Sequence, residues 1–293
     1  MSAPGLAAEV GAALGRPVAR LTPVAGGDLN DAHAAELAGG ARVFVKAHVD
    51  PLEGTFAAEA AALAWLAEPG ALPVPEVLAA GATWLALAWI DAGRLDAAGE
   101  EALGRGLAAL HAAGAPVFGA TAPGTPGEPP PPTRLGPLLL PNDPEPTWAA
   151  FYARRRLAPL TAMAERRGAL PPGTARALHA LGRRMDDLAG PPEPPARLHG
   201  DLWSGNVLAD DRGRPHLIDP AAHGGHREAD LAMLRLFGGP SERCFAAYAE
   251  VAPLADGHAE RVGLWQLQPL LVHAVLFGGG YGAAVARTAD RYA

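Results

Sequence analysis

The first 92 residues contain short apolar alternations interrupted by one longer helical pattern. Three segments alternate between apolar and polar residues and predict β-strands: residues 18–22, 32–37 and 42–46. Residues 55–66 have apolar positions at helical spacing and predict a helix with Thr55 as its N-cap. The apolar run 84–90 is typical of a buried strand. With a short helix at its start, this region is predicted to be small and rich in strands.

From about residue 94 the apolar spacing becomes helical. The predicted helices are residues 97–112, 147–167, 174–189, 241–250, 259–277 and 283–292. The Pro-rich stretch 115–146 is expected to lack regular structure, because proline cannot donate a backbone hydrogen bond. We therefore predict an α+β protein of two lobes, residues 1–92 and residues 93–293, of which the second is mainly helical.

Residues 199–206 (HGDLWSGN) and 217–220 (LIDP) carry three side chains that can offer oxygen ligands. Asp201 and Asn206 are five positions apart, and Asp219 lies thirteen positions beyond Asn206. A kinase catalytic loop has this layout: one Asp is the base, while the Asn and the second Asp hold magnesium. Ordinary turns also contain Asp and Asn. The complete set at this spacing, with a strand-like run before Asp219, favours a phosphoryl-transfer site.

The chain has 24 Lys and Arg residues, and Lys46 is its only lysine. Lys46 ends the predicted strand 42–46, which resembles the Val-Ala-Ile-Lys strand of kinases. A compact ammonium suits the α- and β-phosphates better than a planar guanidinium does. A strand-end lysine is more often simply solvated, but a single lysine among many arginines favours a function. Its expected ion-pair partner is Glu59 on the predicted helix, while the rival Glu53 is expected in the connecting loop.

Two further segments are candidates for contacts with a nucleotide. Gly26, Gly27 and Asn30 suit a hairpin whose backbone amides cover phosphates, although a Gly-Gly pair is also a generic turn. Trp89 and Ile90 end the apolar run, where the hinge of a kinase would bind adenine through backbone groups. In this interpretation residues 1–92 form the nucleotide-binding lobe of a protein-kinase-like fold that uses ATP and Mg²⁺. Residues 93–293 form its catalytic and substrate-binding lobe.

Composition argues against several other classes of protein. A formal net charge of −7 and a pI of about 5.8 disfavour nucleic-acid binding, because phosphate contacts need a basic face. No window approaches about 18 unbroken apolar residues, so no membrane span is expected. The N-terminus lacks a basic segment before an apolar one, which argues against a signal peptide. The single cysteine, Cys244, suits a reducing cytoplasm.

With these residues in place, the chain resembles the fructosamine kinase (ketosamine 3-kinase) family. The string HGDLWSGN at 199–206 is the family's hallmark, and HREADLAM at 226–233 is a second match. Other matches run along essentially the whole chain. Two departures stand out: Asp28 lies where some relatives carry a cysteine, and Ala88 lies where relatives often show Glu.

The resemblance implies ATP-dependent phosphorylation of a ketosamine at its 3-hydroxyl, in the deglycation of amino acids or proteins. Ribulosamines, erythrulosamines and fructosamines are the implied acceptors, free or protein-bound, and the protein would be a monomer or a weak homodimer. Asp201 carries over as the base, Asn206 and Asp219 as magnesium ligands, and Lys46 with Glu59 as the phosphate-binding pair.

The resemblance also suggests which residues surround the acceptor. Trp203 and the stretch His226, Arg227 and Glu228 are implied to shape the acceptor pocket, although Trp203 could equally be a core residue. His199 is expected to brace the catalytic loop, and Asp230, on a helix, is expected to tie this loop down.

Three alternatives remain. The acceptor could be an aminoglycoside, choline or another small alcohol, which the Trp203-Ser204 pair and HREADLAM disfavour by resemblance only. A non-catalytic nucleotide-binding scaffold would have lost part of the Lys–Asp–Asn–Asp set, and all four residues are present. A protein kinase is disfavoured because Gly200 replaces the Arg of His-Arg-Asp and Pro220 follows Asp219 where Phe-Gly would stand.

Overall fold

A computed structural model describes residues 2–24, 30–122 and 130–293 of the chain. Its first part contains five strands: β1 (Val18–Pro23), β2 (Asp31–Leu37), β3 (Arg42–Ala47), β4 (Val77–Ala80) and β5 (Trp84–Ala88). They form one antiparallel sheet in the order β1-β2-β3-β5-β4. The three predicted N-terminal strands are confirmed, and the apolar run 84–90 is a strand up to Ala88.

Two helices cover the sheet, α1 (Ala3–Ala13) and α2 (Thr55–Ala67). Side chains alternate between the faces of a strand. Odd-numbered residues of β3 therefore pack with α1, in a cluster that contains Leu6, Val10, Val43, Val45 and Trp84. Phe44 packs on the opposite face with α2, in a cluster with Phe56, Leu63, Leu85 and Leu87. Lys46 shares the face of Phe44, so its side chain extends towards α2.

The start of α2 differs from the prediction. Its N-cap is Gly54, with φ of 74°, and Thr55 is the first helical residue. Instead of capping the helix, the Thr55 hydroxyl donates to the carbonyl of Leu52 at 2.6 Å. The prediction of Thr55 as N-cap was wrong because the chain enters α2 through a left-handed conformation, which favours glycine.

The second part is mainly helical. Its helices are α3 (Ala97–Ala112), α4 (Trp148–Phe151), α5 (Ala158–Arg166), α6 (Thr174–Arg183), α7 (Met185–Leu188), α8 (Arg227–Leu234), α9 (Glu242–Val251), α10 (His258–Phe277) and α11 (Tyr281–Ala289). The predicted helical segments are confirmed with two interruptions. Segment 147–167 contains a π-helical stretch, Tyr152–Leu157, between α4 and α5, and segment 174–189 is broken at Arg184 between α6 and α7. Among the described residues, no helix combines the length and apolar character required to cross a membrane.

The Pro-rich stretch contains a hairpin that was not predicted. Strands β6 (Thr133–Leu135) and β7 (Leu138–Leu140) pair antiparallel around Gly136, whose φ is 57°. Leu135, Leu138 and Leu140 are buried. The expectation of no regular structure was wrong here because burial of these leucines outweighs the local density of proline. Residues 123–129 lie outside the described part.

Four short strands carry the segments 199–206 and 217–220. They are β8 (Ala196–Leu198), β9 (Val207–Ala209), β10 (Pro215–Leu217) and β11 (His223–Gly225), and β8 pairs with β11 while β9 pairs with β10. Segment 199–206 connects β8 to β9, and Asp219 lies between β10 and β11. The two pairings therefore bring Asp201 and Asp219 to the same end of these strands. A core of α2, α3 and α9 side chains, including Trp65, Leu66, Leu103, Leu107 and Tyr248, joins α2 to this helical part.

Candidate active site

Lys46 is buried between two carboxylates. Its Nζ lies 2.9 Å from Oε1 of Glu59 and 2.7 Å from Oδ1 of Asp219, so the predicted Lys46–Glu59 pair is present. Burial alone would lower the pKa of Lys46, but the charges of Glu59 and Asp219 outweigh this effect and the pKa is raised. The site therefore contains a fixed positive charge.

Asp219 has a backbone conformation that non-glycine residues rarely adopt. Its φ is 55°, and it is the only non-glycine residue with positive φ in the described ranges. One carboxylate oxygen contacts Lys46, while the side chain keeps 36% of its surface exposed. Strain of this kind is frequent at functional sites. The conformation presents a carboxylate both to the buried lysine and to the open side.

Asp201 and Asn206 are joined by the turn that follows Asp201. The Asn206 Nδ2 group donates to the backbone oxygen of Asp201 at 2.8 Å and to its Oδ2 at 3.1 Å. The backbone oxygen of Asn206 in turn accepts from the amide of Ile218 at 3.0 Å, next to Asp219. The structure therefore brings Asp201, Asn206, Asp219, Lys46 and Glu59 into one connected group.

Gly200 is a glycine for steric reasons. Its φ is 82°, and an added Cβ would lie 2.2 Å from the backbone oxygen of Ala221 and 2.8 Å from Nδ1 of His223. No side chain fits there without movement of the backbone. Because Gly200 has no side chain, it can lie directly against Ala221 and His223, which follow Asp219.

Burial raises the pKa of Asp201 to about 6, and the nearby carboxylates of Asp219 and Asp230 act in the same direction. The hydrogen bond from Asn206 opposes this shift. A carboxylate with such a pKa is a stronger base than an exposed aspartate and is still ionised at pH 7.

The catalytic loop is anchored on Asp230 of α8, as predicted. The amides of His199 and Gly200 donate to Oδ2 and Oδ1 of Asp230, at 2.7 and 3.0 Å. His199 also braces the loop: its Nε2 donates to the carbonyl of Ile218 at 2.9 Å, and its Nδ1 accepts from the amide of Asp201 at 3.2 Å. Burial lowers the pKa of His199, consistent with this neutral tautomer.

Sequence reasoning missed the residues behind Asp230. His111 of α3 places Nε2 at 3.3 Å from Oδ2 of Asp230 and Nδ1 at 2.9 Å from the hydroxyl of Tyr248. All three side chains are buried. Nothing in the sequence shows that His111, 119 positions before Asp230, contacts this aspartate.

The predicted hinge residues lie at the end of β5. Trp89 donates its indole N–H to Asp91 at 3.1 Å, and the guanidinium of Arg42 stacks over its ring at 4.8 Å. The next residues are tied to the β9–β10 hairpin, because the amide of Gly93 donates to Ala209. Ile90 and Asn30 are partly buried. Gly26 and Gly27 lie outside the described residues.

His226, Arg227 and Glu228 contact other residues than the Lys46–Asp219 group. Arg227 pairs with Glu193 at 2.7 Å and donates to backbone oxygens of the loop after α9. Both oxygens of Glu228 accept from Arg261, and one also accepts from Trp265. His226 is buried and caps α8 through its Nδ1. The described contacts of these three residues are internal.

Trp203, in contrast, is on the surface of the catalytic loop, with 37% of its area exposed. Its ring packs edge-on against Phe237 at 6.5 Å. Phe237 in turn contacts His273 and Tyr281, and His273 contacts Phe277. An aromatic surface therefore begins two residues after Asp201 and extends to α10 and α11.

The donor chemistry fits a magnesium ion bound together with phosphates. The amide nitrogen of Asn206 donates a hydrogen bond to Asp201, so its side-chain oxygen is left as a possible metal ligand. Asp219 adds a carboxylate. The described residues contain no group of three or more His, Cys, Asp or Glu side chains that could hold a metal. Mg²⁺ usually binds proteins through one or two carboxylates and completes its shell with water and substrate phosphates.

Fold and site together define a phosphotransferase of the protein-kinase-like class. A macrolide 2'-phosphotransferase of type I has the same fold, with a TM-score of 0.62, 20% identity and coverage of 99% of this chain and 96% of that one. The model of the fructosamine kinase family matches residues 6–293. The chain therefore belongs to the fructosamine kinase family, whose members are phosphotransferases with an alcohol group as acceptor.

Individual relatives agree with this assignment. A probable ketoamine kinase from Synechocystis sp. is 34% identical over 284 residues, covering 94% of this chain and 92% of the relative. A candidate fructosamine-3-kinase from Thermobifida fusca, known from a crystal structure, is 44% identical with a TM-score of 0.90. The match covers 99% of both chains.

Proposed function

We propose that this protein transfers the γ-phosphate of ATP to the 3-hydroxyl of a ketosamine, free or attached to a protein. The observation that carries the proposal is the contact of Lys46 with both Glu59 and Asp219 beside the Asp201–Asn206 turn. Family membership and the names of the relatives support a ketosamine as acceptor. Ribulosamine, erythrulosamine and fructosamine adducts all remain candidates.

On the nucleotide side, Lys46 would contact the α- and β-phosphates, and Glu59 would hold Lys46 in place. Asn206 and Asp219 would hold Mg²⁺, which supplies charge neutralisation at the phosphates. Gly26, Gly27 and Asn30 would cover the phosphates, and the backbone at Trp89 and Ile90 would bind adenine. Ala88 has no side-chain hydrogen-bonding group, so adenine contacts there would fall to the backbone.

On the acceptor side, Asp201 would accept a hydrogen bond from the attacking hydroxyl and take its proton. Its pKa of about 6 keeps it ionised at neutral pH while making it a better base than an ordinary aspartate. Asn206 fixes the carboxylate through Oδ2, so that Oδ1 is the oxygen left to face the hydroxyl.

Trp203 would be the acceptor's stacking surface. A ketosamine carries a secondary amine close to the 3-hydroxyl, and a protonated amine is attracted to the face of an indole. The exposed ring of Trp203, two residues after Asp201 in the chain, suits this contact. A contact of His226, Arg227 or Glu228 with the acceptor stays a prediction, and their internal hydrogen bonds favour a role in supporting α8.

A coupled assay of ATP consumption tests the proposal. Lysine adducts of ribulose, erythrulose and fructose should be phosphorylated, and ³¹P NMR should locate the new ester at the 3-position. An aminoglycoside and choline serve as competing acceptors. Turnover of either in preference to every ketosamine would reject the acceptor but keep the kinase assignment, whereas no ATP-dependent product with any acceptor would reject both.

A further inference from the structure

Helix α2, which carries Glu59, is contacted near its first turn by an arginine of the helical part. Nη2 of Arg134, in β6, donates to the backbone oxygen of Glu53 at 2.7 Å. Glu53 immediately precedes Gly54, the N-cap of α2. The contact therefore ties the entry of α2 to the β6–β7 hairpin.

The residues next to Arg134 are held by hydrogen bonds from a buried arginine, Arg156. The adjacent Thr133 and the nearby Asn142 both accept hydrogen bonds from Nη2 of Arg156, at 3.3 and 2.7 Å. Arg156 also donates to the carbonyl of Pro141 at 2.8 Å and is completely buried. The oxygens that accept hydrogen bonds from Arg156 are neutral, and burial lowers the pKa of this guanidinium to about 9. These hydrogen bonds connect Thr133, the neighbour of Arg134, to a buried side chain of the helical part.

A second arginine contacts the other end of α2. Nη1 of Arg197, in β8, donates to the backbone oxygen of Trp65 at 2.6 Å and to Oε2 of Glu68 at 2.9 Å. Its guanidinium also stacks over the indole of Trp65 at 4.6 Å. Arg197 lies four positions before Asp201, so this contact connects α2 to the strand that leads into the catalytic loop.

The two ends of α2 depend on these arginines to different degrees. The C-terminal half also packs into the shared core through Ala62, Trp65 and Leu66. Towards the N-terminus, Phe56 packs in a different cluster, with the sheet residues Leu85 and Leu87. At that end, Arg134 supplies the contact with the helical part.

We propose that Arg134 and Arg197 are positioning residues that hold α2 so that Glu59 meets Lys46 before any nucleotide binds. The inference rests on the proposed roles of Lys46 and Glu59. Glu59 is four residues beyond Thr55, the first helical residue, which is about 6 Å along the helix axis. Movement of the entry of α2 by about 1 Å would carry Glu59 out of hydrogen-bonding range, and errors of this size are costly in catalysis. In kinases whose corresponding helix swings, the same ion pair forms only on activation.

The test is a double-mutant cycle between Arg134→Met and Glu59→Gln. Two readouts are measured: MgATP affinity by calorimetry, which needs no acceptor, and kcat/KM for MgATP. If Arg134 acts through Glu59, Arg134→Met should lower MgATP affinity and kcat/KM by roughly two- to tenfold in the wild-type background. This is the effect expected from the loss of one hydrogen bond. In the Glu59→Gln background it should have almost no further effect.

Arg16→Met is the matched control. Arg16 also donates from Nη2 to a backbone oxygen, that of Ala38 at 2.6 Å, and its loss changes the charge equally. Both readouts should be unchanged by this substitution. Arg134→Met should fold normally, because it also removes Nη1, a buried nitrogen without a hydrogen-bond partner among residues 2–24, 30–122 and 130–293. Arg197→Lys, which keeps the charge, tests the other end of α2 in the same cycle.

Equal losses from Arg134→Met in both backgrounds, or no loss in either, would overturn the inference while leaving the proposed function intact. Failure of the proposed function has a different signature: wild-type protein then forms no phosphorylated ketosamine, or Glu59→Gln and Lys46→Arg are both silent. A silent Glu59→Gln overturns the inference as well.

Discussion

Lys46 Nζ and Asp219 Oδ1 lie 2.7 Å apart, although 173 positions separate the two residues in the chain. The contact joins the central strand of the sheet to the segment that follows the catalytic loop. Because Lys46 also contacts Glu59, one ammonium connects a strand, a helix and the candidate magnesium ligand. Substitution of Lys46 and substitution of Asp219 should therefore have different effects.

Lys46→Arg should lower kcat/KM by an order of magnitude or more. A guanidinium is wider and more directional than an ammonium and does not fit the space between Glu59 and Asp219. Steady-state kinetics with a ketosamine acceptor measure the effect. Arg20→Lys, an exchange at an exposed strand position, is the control and should stay within about 0.5 kcal/mol. Normal kcat/KM for Lys46→Arg would remove this lysine from the mechanism.

Asp201→Asn should reduce kcat by about 10²-fold or more, because the general base is lost. MgATP affinity measured by calorimetry should be retained, since Asp201 need not touch the nucleotide. Near-wild-type turnover in the folded variant would show that Asp201 is not the base.

The acid limb of the pH profile should report Asp201. Its pKa is raised to about 6, and only the ionised carboxylate accepts a proton, so kcat/KM should fall as pH decreases through about 6. The free energy of unfolding depends on pH in the opposite direction to kcat/KM. A carboxyl whose pKa is higher in the folded than in the unfolded state favours folding at low pH, and this contribution is lost as pH rises through about 6. Thermal melts should therefore show Asp201→Asn more stable than wild type at pH 8, with a smaller difference at pH 4.5.

Asp219→Ala should weaken MgATP binding more than Asn206→Ala. A carboxylate offers magnesium a full negative charge, whereas an amide offers only a dipole. Calorimetric titrations compare the two variants, with Asp211→Ala as a control for the loss of an exposed carboxylate. Unchanged MgATP affinity in Asp219→Ala would contradict the assignment of Asp219 as a metal ligand.

Gly200→Ala should destabilise the protein and abolish activity. The added methyl would meet the oxygen of Ala221 at 2.2 Å, and the left-handed backbone costs about 1–2 kcal/mol in addition. Gly40→Ala separates the two effects, because Gly40 has a similar φ of 88° and open space around it. Chemical denaturation should show a clearly larger loss of unfolding free energy for Gly200→Ala. Equal losses would mean that the close contact has no energetic weight.

The sequence predicted contacts that follow from local periodicity. Lys46 and Phe44 share one face of a strand because side chains alternate, and the helix 55–66 is the next element, so Glu59 was a natural partner. Asp230 could be predicted as an anchor because a helix-borne Asp follows the catalytic motif closely. The Lys46–Glu59 inference needed only spacing and the kinase-like motif, whereas the role of Asp230 was suggested by the family resemblance.

Contacts that depend on tertiary packing were not predictable in this way. Neither the Tyr248–His111–Asp230 chain nor the support of Thr133 by Arg156 leaves a periodic signal, because each joins elements distant in sequence. The β6–β7 hairpin was not predicted, because the local proline density argues against regular structure and the burial of three leucines depends on tertiary packing. The cap of α2 was missed because the choice between Gly54 and Thr55 depends on how the chain enters the helix.

The close contacts around Gly200 also prevent a single substitution from introducing an arginine at this position. Protein kinases place an arginine at this position to bind a phosphorylated activation loop. Here the oxygen of Ala221 and the ring of His223 fill that space. A single codon change therefore cannot introduce phosphate-dependent control, because the segment after Asp219 would first have to move.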